Sequence, residues 1–209
     1  MKLYTKPGAC STADHIALQW TGQPFDVEVM DAKSMKEPAY LAVNPAGAVP
    51  AITDIAADGG QFVLTQNAAI LGYIADMSPS ANLTGDGSAH QRAIATKWLA
   101  FCNSDLHPAF SPLFGPGMFS EDATHHDAIK AAARKRILKL FETADDALKG
   151  KQWLAGFRSI ADPYFYITIR WADAMKFDLS DFANVVAFKH RMEADPGVRA
   201  ALKAEGLSA

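Results

Sequence analysis

The spacing of apolar and polar positions divides this chain into two unlike halves. In the first half, residues 2–4 and 26–30 read as strands, the second because Asp26-Val27-Glu28-Val29-Met30 alternates with period two. Between them, Thr12 to Trp20 carries Ala13, Ile16, Ala17, Leu18 and Trp20 at helical spacing, and Gly22 stops it. A strand, a helix and a strand in so short a stretch predict a parallel, right-handed βαβ unit. Residues 31–46 form a polar connection with a short helix near Pro38 to Val43. Ala51–Ile55 and Phe62–Leu64 are strands joined by a turn at Asp58-Gly59-Gly60. Residues 66–76 follow as a helix with Ile70, Leu71 and Ile74 inward. The pattern predicts a four-stranded mixed sheet built as βαβ then ββα.

After Met77-Ser78-Pro79-Ser80-Ala81-Asn82 no strand pattern recurs. Helical signals cover 89–119, 124–149, 160–176, 181–194 and 196–205. The longest regular face is Ile129, Ala133, Ile137, Leu140, Phe141, Ala144 and Leu148, stopped by Gly150. Asp195-Pro196 caps the last helix. An α/β half followed by an all-helical half predicts two domains, 1–77 and 85–209, joined by a linker over 78–84.

Composition narrows the class. Of 209 residues, 49% are hydrophobic, and the formal net charge is −3. That is a globular composition without the basic surface that nucleic acids need. Arg134-Lys135-Arg136, the densest basic run, sits within one helical stretch. No apolar run reaches membrane-spanning length and no secretory signal is seen, so we expect a cytoplasmic protein and no membrane partner. Cys10 and Cys102 have no disulfide or metal-ligand spacing. We therefore expect no metal and no permanently bound cofactor.

Candidate chemistry concentrates in residues 1–16. Pro7 and Gly8 break the first strand. Ser11 and Asp14 read as a capping box opening the first helix, which puts Cys10 at its mouth. A helix N-terminus favours an anion there, which predicts a lowered thiol pKa. The alternative is that Cys10 is a small apolar residue in a loop. Further on, Val49-Pro50 precedes a strand, Gln66 and Asn67 open a helix, and Asn103 and His107 share a helix face four residues apart. Pro108 is expected to bend that helix and lean Asn103, Ser104 and His107 over the first domain. Cys102 reads as core.

These stretches together resemble the cytosolic glutathione S-transferases, in particular the bacterial beta class. The resemblance runs from Lys6-Pro7-Gly8-Ala9-Cys10 through Asn44-Pro45-Ala46-Gly47-Ala48-Val49-Pro50 and Leu64-Thr65-Gln66-Asn67-Ala68-Ala69-Ile70. It continues with Asp105-Leu106-His107, Ser159-Ile160-Ala161-Asp162 and Glu205-Gly206-Leu207. It implies a thioredoxin-like N-terminal domain, an all-α C-terminal domain and a homodimer. It further implies glutathione as co-substrate in the cleft between the domains. Pro50 would be cis, and the backbone of Val49 would pair with the cysteinyl part of glutathione. Gln66 and Asn67 would take its γ-glutamyl end, with Asn67 standing where the family usually has Ser or Gly. His107 and Asn103 would lie near the sulfur, and Pro108 replaces a Lys frequent in the family. Cys10, His107 and Ser11 are the catalytic candidates, and Tyr4 is a weaker rival because core packing suits it better.

The reading is a glutathione transferase that conjugates small apolar electrophiles, with thiol–disulfide exchange through Cys10. The alternative is a non-catalytic ligand-binding protein of the same fold, its pocket lined by Phe110, Leu113, Phe114, Met118 and Phe119.

Overall fold

The computed structural model describes residues 1–208; Ala209, the last residue of the predicted helical domain, lies outside them. Strands β1 (Lys2–Thr5) and β2 (Asp26–Val29) flank helix α1 (Ser11–Thr21) and pair in parallel, Leu3 opposite Val27. A single turn of helix, α2 (Pro38–Leu41), leads to β3 (Ala51–Ile55) and β4 (Gln61–Thr65). The sheet order is β2-β1-β3-β4, with both later pairings antiparallel. Helix α3 (Asn67–Met77) returns beside α1. This is the mixed sheet that the polarity pattern predicts.

The second half is helical: α4 (Ala89–Ala100), α5 (His107–Phe114), α6 (His126–Leu148), α7 (Ala161–Ala174), α8 (Ala183–Ala194) and α9 (Pro196–Ala204). The expected continuous helix over 89–119 is broken. Residues Phe101–Leu106 form a π-helical segment, with the His107 N–H bonded to the Cys102 carbonyl. Pro108 has no N–H to give, and the ladder widens to π spacing in the turns before it. None of the described helices is long and apolar enough to cross a membrane.

One core joins the halves. Leu3, Ile16 and Ile70 from the first pack in the same cluster as Phe141, Tyr164, Phe165 and Leu202 from the second. Helix α7 is buried along most of its length. Its start is held by Asp162, which accepts from the N–H groups of Ser159 (2.7 Å) and Leu154 (3.1 Å), while Ser159 Oγ accepts from the Ala161 N–H.

The contact of α1 with α9 requires a glycine. A Cβ on Gly197 would stand 2.8 Å from the Trp20 ring, whose Nε1 donates to Asp195 at 2.8 Å. Asp195 also caps α9 through the Val198 N–H. Just past α9, the Glu205 side chain is carried beneath α1 and fully buried. It lies 2.9 Å from Thr5 Oγ1, 2.7 Å from Thr12 Oγ1 and 2.9 Å from His15 Nδ1. Removing one partner of a buried charged cluster costs about 3–5 kcal/mol, because the others keep their desolvation. For a chain of this size 1 kcal/mol moves Tm by roughly 2–4 °C. Glu205→Ala should therefore lower Tm by on the order of 10 °C in a calorimetric scan. A change within about 2 °C would show that the cluster does not hold the ends of the chain together.

Candidate functional site

The head of α1 is not closed as its sequence suggests. Cys10 takes the N-cap position, and no side chain caps the helix. Ser11 is fully buried and turned the other way: its Oγ accepts from the Lys6 N–H (3.1 Å) and lies 2.9 Å from Thr5 Oγ1. Thr5 has one proton and the Glu205 carboxylate can only accept, so Thr5 donates to Glu205 and receives from Ser11. The Ser11–Asp14 capping box is absent. Ser11 lines no part of the cleft, which removes it from reach of a bound sulfur. Tyr4 packs against Tyr40, ring centroids 5.3 Å apart, and Cys102 is core.

Cys10 faces a cavity of about 410 Å³ between the two halves. Its Sγ lies 3.8 Å from the Val49 carbonyl oxygen. The thiol is pushed up to about 12, first by burial and then by the neighbouring Asp14 carboxyl. This overturns the expected low pKa. The favourable helix N-terminus is outweighed because the sulfur has little water and no cation beside it. At neutral pH the free protein carries Cys10 as S–H.

The wall opposite α1 is the segment before β3. The Val49-Pro50 bond is cis. The Ala48 carbonyl receives both Tyr40 Oη (2.6 Å) and Asn44 Nδ2 (2.7 Å), and the Lys36 ammonium holds the Gly47 carbonyl (3.1 Å). The main chain at Val49 is thereby presented to the cavity by fixed neighbours. The end wall is the head of α3. Gln66 sits there at φ 76°, ψ 117°, a backbone that side chains rarely adopt, and its side chain caps nothing. Strain of about 1–3 kcal/mol at such a position is typical of ligand clamps. Asn67 is buried. With its amide turned so that nitrogen donates, it reaches Asp14 Oδ2 (2.6 Å) and the Cys10 carbonyl (3.1 Å).

The roof comes from the helical half. Asn103, His107, Pro108 and Ser111 line the cavity, while Ser104 is exposed and does not. His107 Nδ1 is 2.6 Å from the Tyr164 hydroxyl. Burial pushes the His107 ring below its ordinary value and the Tyr164 phenol above its own. Tyr164 keeps its proton and the imidazole is neutral; when the phenol donates to Nδ1, the ring carries its own proton on Nε2. Trp171 stacks edge-on to His107 at 4.7 Å, and its Nε1 donates to the Gly8 carbonyl at 2.8 Å, tying α7 to the loop before Cys10. Beyond it stands Phe114, 5.2 Å from the Trp171 ring and half exposed. Phe110, expected to line a pocket, is fully buried beneath them.

The cavity thus brings together Cys10, Val49, Pro50, Gln66, Asn67, Asn103 and His107. Tyr164 and Trp171 were not singled out from the sequence, and Asp14 was read only as a cap of α1. The one available signal for Tyr164 was its place two residues after the Asp162 cap. Among the described residues no group of three His, Cys, Asp or Glu side chains could hold a metal ion.

Comparison with known proteins agrees with this geometry. Residues 9–77 match the glutathione S-transferase N-terminal domain and residues 93–196 the C-terminal domain. The chain is 50% identical to glutathione S-transferase GST-4.5 of Xanthomonas campestris, over all of both chains. It is similar in structure to a sphingomonad glutathione S-transferase solved with glutathione (38% identity, TM-score 0.84, all of both chains). It is equally similar to the bacterial beta class enzyme of Sphingomonas chungbukensis (39% identity, TM-score 0.84, 99% of this chain and 100% of that one).

A thiol titrating near 12 gains thiolate tenfold per pH unit throughout the neutral range. Alkylation of Cys10 by iodoacetamide, mapped by mass, should therefore accelerate steadily from pH 6 to pH 9 without levelling. A plateau below pH 8 would mean that the thiol is activated after all.

Proposed function

We propose a function from one premise: the chain belongs to the glutathione S-transferase family. It binds glutathione in the cavity and transfers its thiol to a small apolar electrophile. The observation that carries this is the convergence, on one cavity of about 410 Å³, of the Val49 main chain beside a cis proline, an uncapped helix head at Gln66-Asn67 and His107 bonded to Tyr164. The solved sphingomonad relative holds glutathione. Each part of that tripeptide has a matching surface here. The cysteinyl amide pairs with the Val49 main chain as an added strand would. The γ-glutamyl carboxylate docks on the free N–H groups of α3, with the Gln66 amide within reach. The sulfur lies between Cys10 and His107.

In the transfer step the sulfur electron pair forms the new S–C bond and the leaving group departs with its bonding pair. The thiol proton is released to water. His107 Nε2–H donates to the sulfur as its negative charge develops, and the Cys10 S–H is a second donor. A neutral histidine acts as donor here, not as base. The aromatic step from Trp171 to half-exposed Phe114 supports an apolar co-substrate. We assign glutathione binding to residues 1–77, the linker to 78–84 and the roof to 85–209. A cytoplasmic homodimer is in keeping with the family.

Thiol–disulfide exchange is the second reading, supported by the position of Cys10 at the cavity. Oxidised glutathione would lose one glutathione thiolate as Cys10 Sγ bonds the other half. The raised thiol pKa lowers the thiolate fraction of Cys10 and so slows this exchange at neutral pH.

Wild-type protein should bind glutathione in a calorimetric titration. His107→Phe, lacking the donor, should lower kcat with a chloronitrobenzene electrophile by about 10²-fold while KM for glutathione moves little, the loss found when one such donor is removed. Unchanged kcat would take His107 out of the chemistry. Incubation with oxidised glutathione should add one glutathione to Cys10, slowly at pH 7 and faster at pH 9, and none in Cys10→Ala. Absence of glutathione binding would leave the non-catalytic, ligand-binding reading.

A further inference from the structure

Asp14 lies in the first turn of α1 with no part of its side chain exposed. A buried carboxyl is costly unless hydrogen bonds compensate it. Here the compensation is incomplete. Oδ2 receives the Asn67 amide at 2.6 Å, whereas Oδ1 has no partner. Among the described residues no cation pairs with it, and the nearest buried acid, Glu205, disfavours its ionisation further. The first turn of a helix favours an acid, but full burial with one oxygen unpartnered works against it, so the helix alone does not account for Asp14.

What Asp14 supplies is an acceptor directed at the head of α3. Asn67 is the first residue of that helix. One N–H of its amide goes to Asp14 and the other to the Cys10 carbonyl. Both acceptors belong to the opening of α1. The two amide protons thus fasten the head of α3 to the backbone that carries the thiol. They set the spacing between the surface for a carboxylate and the place of the sulfur. We propose that Asp14 is a positioning residue for glutathione, acting through Asn67 to hold the γ-glutamyl surface of α3 in register with Cys10. This rests on the glutathione reading above and assigns a role to a residue outside the cavity lining.

Losing one such hydrogen bond is worth about tenfold in affinity. With the full-length protein, Asp14→Ala should raise KM for glutathione about tenfold and leave kcat within about twofold. Asn67→Ala, which also loses the bond to the Cys10 carbonyl, should raise KM at least as much, and the double variant should be no worse than Asn67→Ala, because Asp14 acts only through Asn67. Asp14→Asn keeps an acceptor oxygen and should stay within about threefold of wild type. Tm measured alongside separates loss of register from loss of fold. If Asp14→Ala does not fold, Asn67→Ala and Asp14→Asn carry the test. Folded Asp14→Ala with wild-type KM overturns the inference alone. So does additivity in the double variant, or an Asp14→Asn as impaired as Asp14→Ala. Wild-type protein that binds no glutathione overturns the proposed function, and this inference with it.

Discussion

The buried carboxylate of Glu205 holds the arrangement from below. It sits 200 residues after Thr5 and ends beside it, with Thr12 and His15 on the same two oxygens. The Thr5 hydroxyl passes the constraint to Ser11, whose oxygen takes the Lys6 N–H. The loop carrying Cys10 is thus fixed from its underside by the tail of the chain. A buried cluster of this kind stabilises little relative to apolar packing, but it is intolerant of any other geometry. It specifies how α9 meets α1, and Trp20 against Gly197 completes that contact sterically.

The same desolvation that makes this cluster exacting also determines the chemistry of the cavity. Cys10, Asp14 and His107 are each shifted toward their neutral form by burial. A cavity whose Cys10 and His107 stay uncharged, with Asp14 behind its lining, is a weak nucleophile by itself. It can hold and stabilise the charge that a bound thiol develops. That division of labour, with the nucleophile brought in by the ligand and donors supplied by the protein, agrees with transfer better than with exchange through Cys10.

Much of this was legible in the chain. Period-two alternation at 26–30, the Asp58-Gly59-Gly60 turn and the long apolar face of 124–149 give the mixed sheet and the helical half. These are local signals, and apart from 89–119, which divides at Phe101–Leu106, the elements formed within a residue or two of the expected ends. Membership of the glutathione S-transferase family followed from motifs whose order along the chain is specific although each alone is weak. The cis Val49-Pro50 bond agrees with what the resemblance implied.

What the sequence could not decide depends on distance through space. Helix-head position predicts a reactive Cys10, but its pKa follows from how little water reaches the sulfur and from Asp14 beneath it, both products of packing. Ser11 next to the thiol in sequence is turned from it in space, because Thr5 and Lys6 claim its oxygen. Tyr164, 57 positions beyond His107, is its hydrogen-bond partner. Spacing along the chain determined which elements form and which residues they carry. Desolvation and hydrogen-bond partners are contributed by residues far apart in sequence, so only the tertiary structure decided which of those residues face the ligand and in what state of charge.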